Sequence, residues 1–319
     1  MKPRDWKTRM TGIGPQYAGD SAFKARMRFH QSWYRARVLG VPCGTGPGPQ
    51  NASRYGNMLT RGDGDRGLNF LTPEIFRIAQ DRIEQNTGVV ESFRMLCNML
   101  SSQPMCFNLF GPLVNDRRLA THLARAILGD VRAVNRVLLE YAPDPAVEYL
   151  NDRTAFDAFI EYERADGGRG FVGIETKLTE PFSGKHYDGP AYRRWMQRAD
   201  SPFLPEAWDR VDDVRHNQLW RDHLLAFALL RHPRSQYVEG RLALIHHPAD
   251  EDCRQIAAGY RALLKPDDAT FLDVALDEMV DAWRNAAPDE DARAWLSQFR
   301  LRYLDLAAGE EEWLEQGWS

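Results

Sequence analysis

Apolar positions along this chain change period more than once. From Thr72 they recur at three and four over 73–86 and 89–102, which predicts two helices. Thr72-Pro73-Glu74 opens the first with an N-cap, a first-turn proline and an acid suited to the helix dipole. Further helices are expected from Asp116 to Ala126 and around 130–140, the latter ended by Pro143. Two runs then alternate at a period of two, TAFDAFIEYE (154–163) and RGFVGIETKL (169–178), joined by the turn RADGG. That is the pattern of a β-hairpin. VDDVRHNQLWRDHLLAFALL (211–230) returns to helical spacing, and RLALIHH (241–247) reads as a buried strand. TFLDVALDEM supplies one more strand before a helix, and the tail from about Asp289 is helical and acidic, with Trp295, Trp313 and Trp318.

The first 70 residues are rich in Arg, Gly and Pro. SAFKARMRFHQSWYRARVLG (21–40) reads as a basic helix whose Lys24, Arg26, Arg28, Arg35 and Arg37 form either a nucleic-acid-facing surface or a solvated face. The glycines between Gly44 and Gly48 lack a following Gly-Lys-Ser/Thr, so a plain loop is expected rather than a phosphate loop. We expect an N-terminal extension over 1–90, a core over 91–285 and a helical tail over 286–319.

Composition narrows the classes. Across 319 residues the chain is 43% hydrophobic and 27% charged, as ordinary globular proteins are. A formal net charge of -4 excludes a global basic field, so a polyanion must be met by a local patch or through metal ions. No apolar run is long enough to span a bilayer and no signal-peptide core follows the N-terminus. Cys43, Cys97, Cys106 and Cys253 form no CxxC pair, which argues against a zinc site or a disulfide framework. A cytoplasmic location is the default expectation.

The candidate chemistry lies on the predicted hairpin. If it closes symmetrically about RADGG, paired positions sum to about 332 and Asp157 stands opposite Glu175. Side chains two apart share a face, so Glu175 and Lys177 point the same way and Ile174 and Thr176 the other. Two carboxylates and a lysine on a buried strand are costly unless something uses them. A hard divalent cation would, since Mg2+ takes one or two carboxylates together with waters and substrate phosphate. The lysine would stabilise the attacking water or the charge developing on phosphate.

The order Asp, then Glu-x-Lys on the next strand, standing here as RTAFDAFIEYE and GFVGIETKL, resembles the PD-(D/E)XK nuclease superfamily. SSQPMCFNLFGPL (101–113) and NQLWRDHLLA (217–226) are similar to its restriction-endonuclease-like bacterial members. The resemblance covers roughly 91–250. Phe156 stands where the superfamily places a proline before the first acid. It implies an α/β fold, a mixed sheet flanked by helices in the order αβββαβ, with helical additions at both ends. It also implies metal ligation by Asp157 and Glu175 and a catalytic role for Lys177. Gln218 resembles a glutamine that some members place near the site. Glu91 is the candidate for an assisting acid on the preceding helix. The implied activity is Mg2+-dependent hydrolysis of DNA, with Mn2+ able to substitute and a homodimer suited to symmetric cutting. A catalytically silent protein of the same fold, binding DNA or a protein partner, is the alternative reading.

Other residues compete for attention. Asp152 is expected to cap the turn NDRT, and Glu161 and Glu163 to face solvent. His246-His247 read as a polar strand edge rather than a metal site. Lys185 and His186 lie in the loop after the hairpin. Arg193 and Arg194, with Tyr192 and Trp195, form either a backbone-and-base surface or an ordinary helix face. Cys97 and Cys106 are expected in the core.

Overall fold

A computed structural model describes residues 12–46, 53–85, 90–211 and 214–315. Two compact units divide the chain. The first is built from the described parts of Met1–Asn86, Val90–Leu109 and Asp291–Ser319, and the second from Phe110–Glu290. In chain order the helices are α1 (Ala22–Trp33), α2 (Arg61–Asp65), α3 (Pro73–Gln85), α4 (Ser92–Cys97), α5 (Ser102–Asn115), α6 (Arg117–Leu128), α7 (Pro190–Met196), α8 (Val214–Arg231), α9 (Glu251–Arg261), α10 (Leu276–Ala286), α11 (Glu290–Tyr303) and α12 (Glu310–Leu314). The strands are β1 (Cys43–Thr45), β2 (Arg54–Leu59), β3 (Ala133–Tyr141), β4 (Phe156–Glu163), β5 (Arg169–Lys177), β6 (Tyr237–His246) and β7 (Phe271–Ala275). No helix among the described residues is long and apolar enough to cross a membrane.

In the first unit the basic helix forms, but most of its charges are already engaged. Arg35 is fully buried and donates to backbone carbonyls of Gly56, Val41, Gly12 and Ile13. Arg28 binds Asp20 and Asn57, Arg26 binds Glu310, and Arg37 reaches Glu312. Arg26, Arg28, Arg35 and Arg37 are therefore structural, which removes most of the expected basic face. Part of the glycine-rich stretch, 43–45, forms a short antiparallel pair with β2, and 47–52 lie outside the described residues, as does Trp318. The helix expected over 89–102 is cut short to α4. Asn98 takes extended backbone and bridges to Met58 of β2, so α4 stops at Cys97 and α5 starts at Ser102.

The second unit is one mixed sheet in the order β3-β4-β5-β6-β7. β3, β4 and β5 run antiparallel, while β5, β6 and β7 run parallel. Ala158 pairs with Ile174 and Glu163 with Arg169, so paired positions sum to 332 as the symmetric turn requires. Residues 133–141 are strand β3, not the helix expected around 130–140. Val134, Val137 and Leu139 are buried along a pairing with β4, and that cross-strand packing outweighs the local helical spacing.

Alternation gives each face of the sheet a different cover. Phe159, Phe171, Leu242 and Leu244 join Leu219, Trp220 and Leu224 of α8 and Tyr260 of α9 in one apolar cluster. Ile160, Val172, Ile174, Ala243 and Val274 on the other face meet Ala124 and Ile127 of α6 and Met279 and Trp283 of α10. Because α8 sits between the sheet and further helices, its run Leu224–Leu229 is wholly buried. Gly173 matters locally. A β-carbon there would stand 2.5 Å from the Phe156 ring, so the glycine lets the aromatic residue preceding Asp157 pack across β5.

His223 fastens α8. Its Nδ1 lies 2.9 Å from the Tyr260 hydroxyl of α9 and its Nε2 lies 2.7 Å from Thr270 Oγ1. Burial pulls this imidazole down to about 4. It folds neutral, so its contribution is complete above the free-histidine value of about 6.5 and is lost as pH falls through the lowered one. Urea unfolding between those limits is expected to lose up to about 3 kcal/mol. His223→Asn is expected to flatten that acid slope.

Candidate active site

Lys177 ends β5, and Glu175 stands two residues before it on the face that α8 covers. Both are almost fully buried, each 6% exposed. Lys177 Nζ lies 3.0 Å from Glu175 Oε1 and 3.1 Å from Gln218 Oε1 on α8. Gln218 Nε2 in turn donates to the same Glu175 oxygen at 2.6 Å. The ammonium also sits 4.8 Å from the centre of the Phe182 ring. Burial disfavours the charged amine, but the adjoining Glu175 overcomes it with help from Asp157, and the Lys177 pKa ends raised. The amine is held as a cation.

Asp157 lies one step beyond the last paired positions of β4 and β5, opposite Glu175 on the symmetric register. Its Oδ2 accepts from the Thr176 backbone N–H at 2.8 Å and from Thr176 Oγ1 at 2.7 Å. The carboxylate thereby takes over the hydrogen bond that a continuing β4 backbone would have made. Extension of the β3–β4 register places Glu140 opposite Asp157 from the other side. Burial, then Glu175 and Glu140, push the Asp157 pKa well above the usual carboxylate range, against the two bonds from Thr176.

This donor set fits a divalent cation. Among the described residues, Asp157 Oδ1 and Glu175 Oε2 carry no hydrogen bond, and they belong to carboxylates facing each other across two strands. No three His, Cys, Asp or Glu side chains among the described residues are already gathered to hold a metal. Mg2+ does not need three, since waters and substrate phosphate complete its shell. The mutual repulsion that raises Asp157 is the electrostatic demand such an ion would meet.

The hairpin and α8 thus bring Asp157, Glu175, Lys177 and Gln218 together. Glu91 belongs to the first unit, where its carboxylate caps α4 by accepting from the N–H groups of Phe93 and Arg94 at 3.1 and 2.7 Å. Glu91→Ala is expected to cost about 1 kcal/mol in urea unfolding. Impaired cutting with unchanged stability would instead return it to the chemistry.

Two acids escaped the sequence reading. Asp222, one helical turn after Gln218, is 1% exposed, and its Oδ2 has no hydrogen-bond partner. Burial, with Glu175 adding to it, raises its pKa well above the usual range. The i, i+4 spacing from Gln218 was a usable signal. Glu140 was hidden because its strand was taken for a helix.

The competing residues also resolve. Asp152 holds the turn as expected, accepting from Thr154 N at 2.9 Å and from the Tyr192 hydroxyl. Glu161 is buried rather than solvent-facing, bound by Arg136 at 3.1 Å and the Tyr237 hydroxyl at 2.6 Å. His246 and His247 end an internal strand and are buried, not at a polar edge. His246 sits beside Lys177 in the parallel register, with Nε2 2.9 Å from Asp273 Oδ1. Tyr192 and Trp195 are core residues, whereas Arg193 and Arg194 are exposed. Cys97 and Cys106 are buried free thiols.

A family model of the PD-(D/E)XK nuclease superfamily matches residues 18–305. The chain belongs to the PD-(D/E)XK nuclease superfamily. The match extends well beyond the 91–250 suggested by the motifs, and the five-stranded mixed sheet flanked by helices is consistent with the restriction-endonuclease-like fold of this superfamily. No curated protein and no solved structure matches the chain. Divalent metals are typical of PD-(D/E)XK nucleases, and the paired carboxylates are the part of this member suited to one.

Proposed function

We propose that this PD-(D/E)XK protein is a Mg2+-dependent nuclease that hydrolyses DNA phosphodiester bonds, in a restriction-, defence- or repair-like role. The observation that carries this reading is the buried pair Glu175 and Lys177, tied together through Gln218, with Asp157 held opposite Glu175 by its two bonds from Thr176. Asp157 and Glu175 would hold the cation through their unbonded oxygens. When bound, the cation would polarise the phosphoryl oxygens and offset charge developing on them.

The chain's own groups divide the remaining work. Lys177 presents a fixed positive charge beside the carboxylates, placed to steady an attacking water and the developing phosphorane charge. Gln218 fixes that amine: its carbonyl oxygen accepts from both Lys177 and the Ser183 N–H, 2.9 Å away, while its amide nitrogen restrains Glu175. Thr176 fixes the direction of Asp157. Gln218→Ala is expected to lower cutting by about 10–100-fold, the range for residues that orient ligands. The readout is initial rates at saturating metal.

The direct test incubates the purified protein with plasmid and linear DNA in Mg2+, in Mn2+ and in chelator. Metal-dependent cutting is expected, and symmetric double-strand cuts would call for two copies of the chain. Absence of cutting together with unchanged thermal stability in millimolar metal would sink the reading, because an ion bound to the native state must stabilise it. The silent DNA- or protein-binding reading would then replace it.

A further inference from the structure

The chain leaves the site along 178–189 and is pinned back onto α8 twice, by Gln218 to Ser183 and by Asn217 to Tyr187. Asn217 Oδ1 accepts from the Tyr187 N–H, and Asn217 Nδ2 donates to its carbonyl, both at 3.1 Å. Against this loop lies a cavity of about 260 Å³. On the same measure a single water needs only roughly 10–15 Å³. Its lining includes Tyr187, Asp188, Arg193, Trp208, Asp209 and Trp220.

Three features of that lining point to a planar, polar occupant. Trp220 is 1% exposed, yet its indole N–H has no hydrogen-bond partner. A buried donor in that state is met by water or by an acceptor on a bound molecule. Trp208 is partly exposed and stands edge-on to Trp220, with ring centres 5.8 Å apart, and the Arg193 guanidinium lies 4.5 Å over it. Tyr187 carries Arg221 at 4.4 Å in the same manner. Asp188 and Asp209 supply carboxylate acceptors.

We infer that this cavity is a nucleobase subsite, taking an unpaired base of the nucleic-acid strand whose phosphate reaches Lys177. A heterocycle stacked on Trp208 would accept from the Trp220 N–H through a ring nitrogen or carbonyl. It would offer its exocyclic amine to Asp209 or Asp188, while Arg193 at the mouth meets the neighbouring phosphate. The inference rests on the nuclease reading and adds to it a preference for single-stranded or locally opened substrate.

The test reads binding in chelator, where no cutting occurs. A short single-stranded oligonucleotide carrying one fluorescent purine analogue is scanned position by position for quenching. One position is expected to quench strongly, and an abasic site there is expected to weaken binding about tenfold. Trp208→Ala is expected to abolish the quench and Asp209→Asn to change the preferred base. Uniform quenching at all positions, or equal binding of the abasic strand by wild type, overturns the subsite without reference to any variant. Cutting that persists beside those results leaves the nuclease reading intact. Position-specific quenching without cutting in any metal overturns the nuclease and retains a base-binding pocket.

Discussion

Lys177→Ala is expected to lower metal-dependent DNA cutting by about 10²–10⁴-fold while metal binding persists or tightens. The two effects separate because Lys177 and a divalent ion are both cations beside Glu175. Without the ammonium, Glu175 keeps only the Gln218 hydrogen bond, and the carboxylates attract an ion more strongly. The variant is also expected to be less stable without metal by about 3 kcal/mol, the scale for an ion pair broken in the interior. Calorimetric metal titration and thermal melts, run beside cleavage assays, read all three quantities. A variant that cuts at the wild-type rate would remove Lys177 from the mechanism. One that loses metal binding along with cutting would mean the amine holds the site's shape rather than serving its chemistry.

Asp157→Asn is expected to do the opposite to stability and the same to activity. In the free protein Asp157 faces Glu175 and Glu140, and its ionised form is disfavoured by burial and by both neighbours. Asparagine removes that charge and still accepts from Thr176, so the metal-free protein is expected to gain about 1 kcal/mol. Cutting and the metal-induced rise in melting temperature are expected to vanish together. The pH dependence follows from the raised pKa. The stability that the protonated carboxyl gives is complete below the unfolded-state value of about 3.9 and is lost as pH rises through the folded one. Wild type without metal should therefore weaken relative to Asp157→Asn with rising pH. Metal affinity of wild type should grow over the same interval, because the ion displaces a proton. A wild-type affinity independent of pH, or an Asn variant less stable than wild type, would show that Asp157 is not the strained ligand described.

These two variants test a site that the sequence exposed to an unusual degree. The period-two alternation on either side of RADGG fixes a register summing to 332, and a register decides which side chains face each other. The register alone therefore places Asp157, Glu175 and Lys177 on one face. Gln218 was reached only through the resemblance to the superfamily, since nothing in the helical spacing of 211–230 sets it apart from its neighbours. The misses share a cause. Residues 131–141 carry apolar positions compatible with either period, and only pairing with β4 makes them a strand, so Glu140 was hidden with them. Arg35 and the His246-His247 pair were read by polarity as surface groups. Their burial is purchased by partners far along the chain, namely the carbonyls of Gly56 and Ile13 for Arg35 and Asp273 for His246.

By itself, then, the sequence determined the hairpin, its register, the three charged residues of the site and the mixed α/β character of the second unit. The hairpin and its register rest on local periodicity and on contacts that a short turn dictates, whereas the mixed sheet and the choice of those three residues came with the resemblance to the superfamily. Tertiary structure alone decided that Asp157 is strained by a second carboxylate from β3 and that Asp222 is buried without a partner for one oxygen. It alone decided that Glu91 is a helix cap and that a cavity lined by Trp208 and Trp220 lies beside the loop leaving the site. Burial and charge proximity are sums over residues distant in sequence, so no local pattern encodes them.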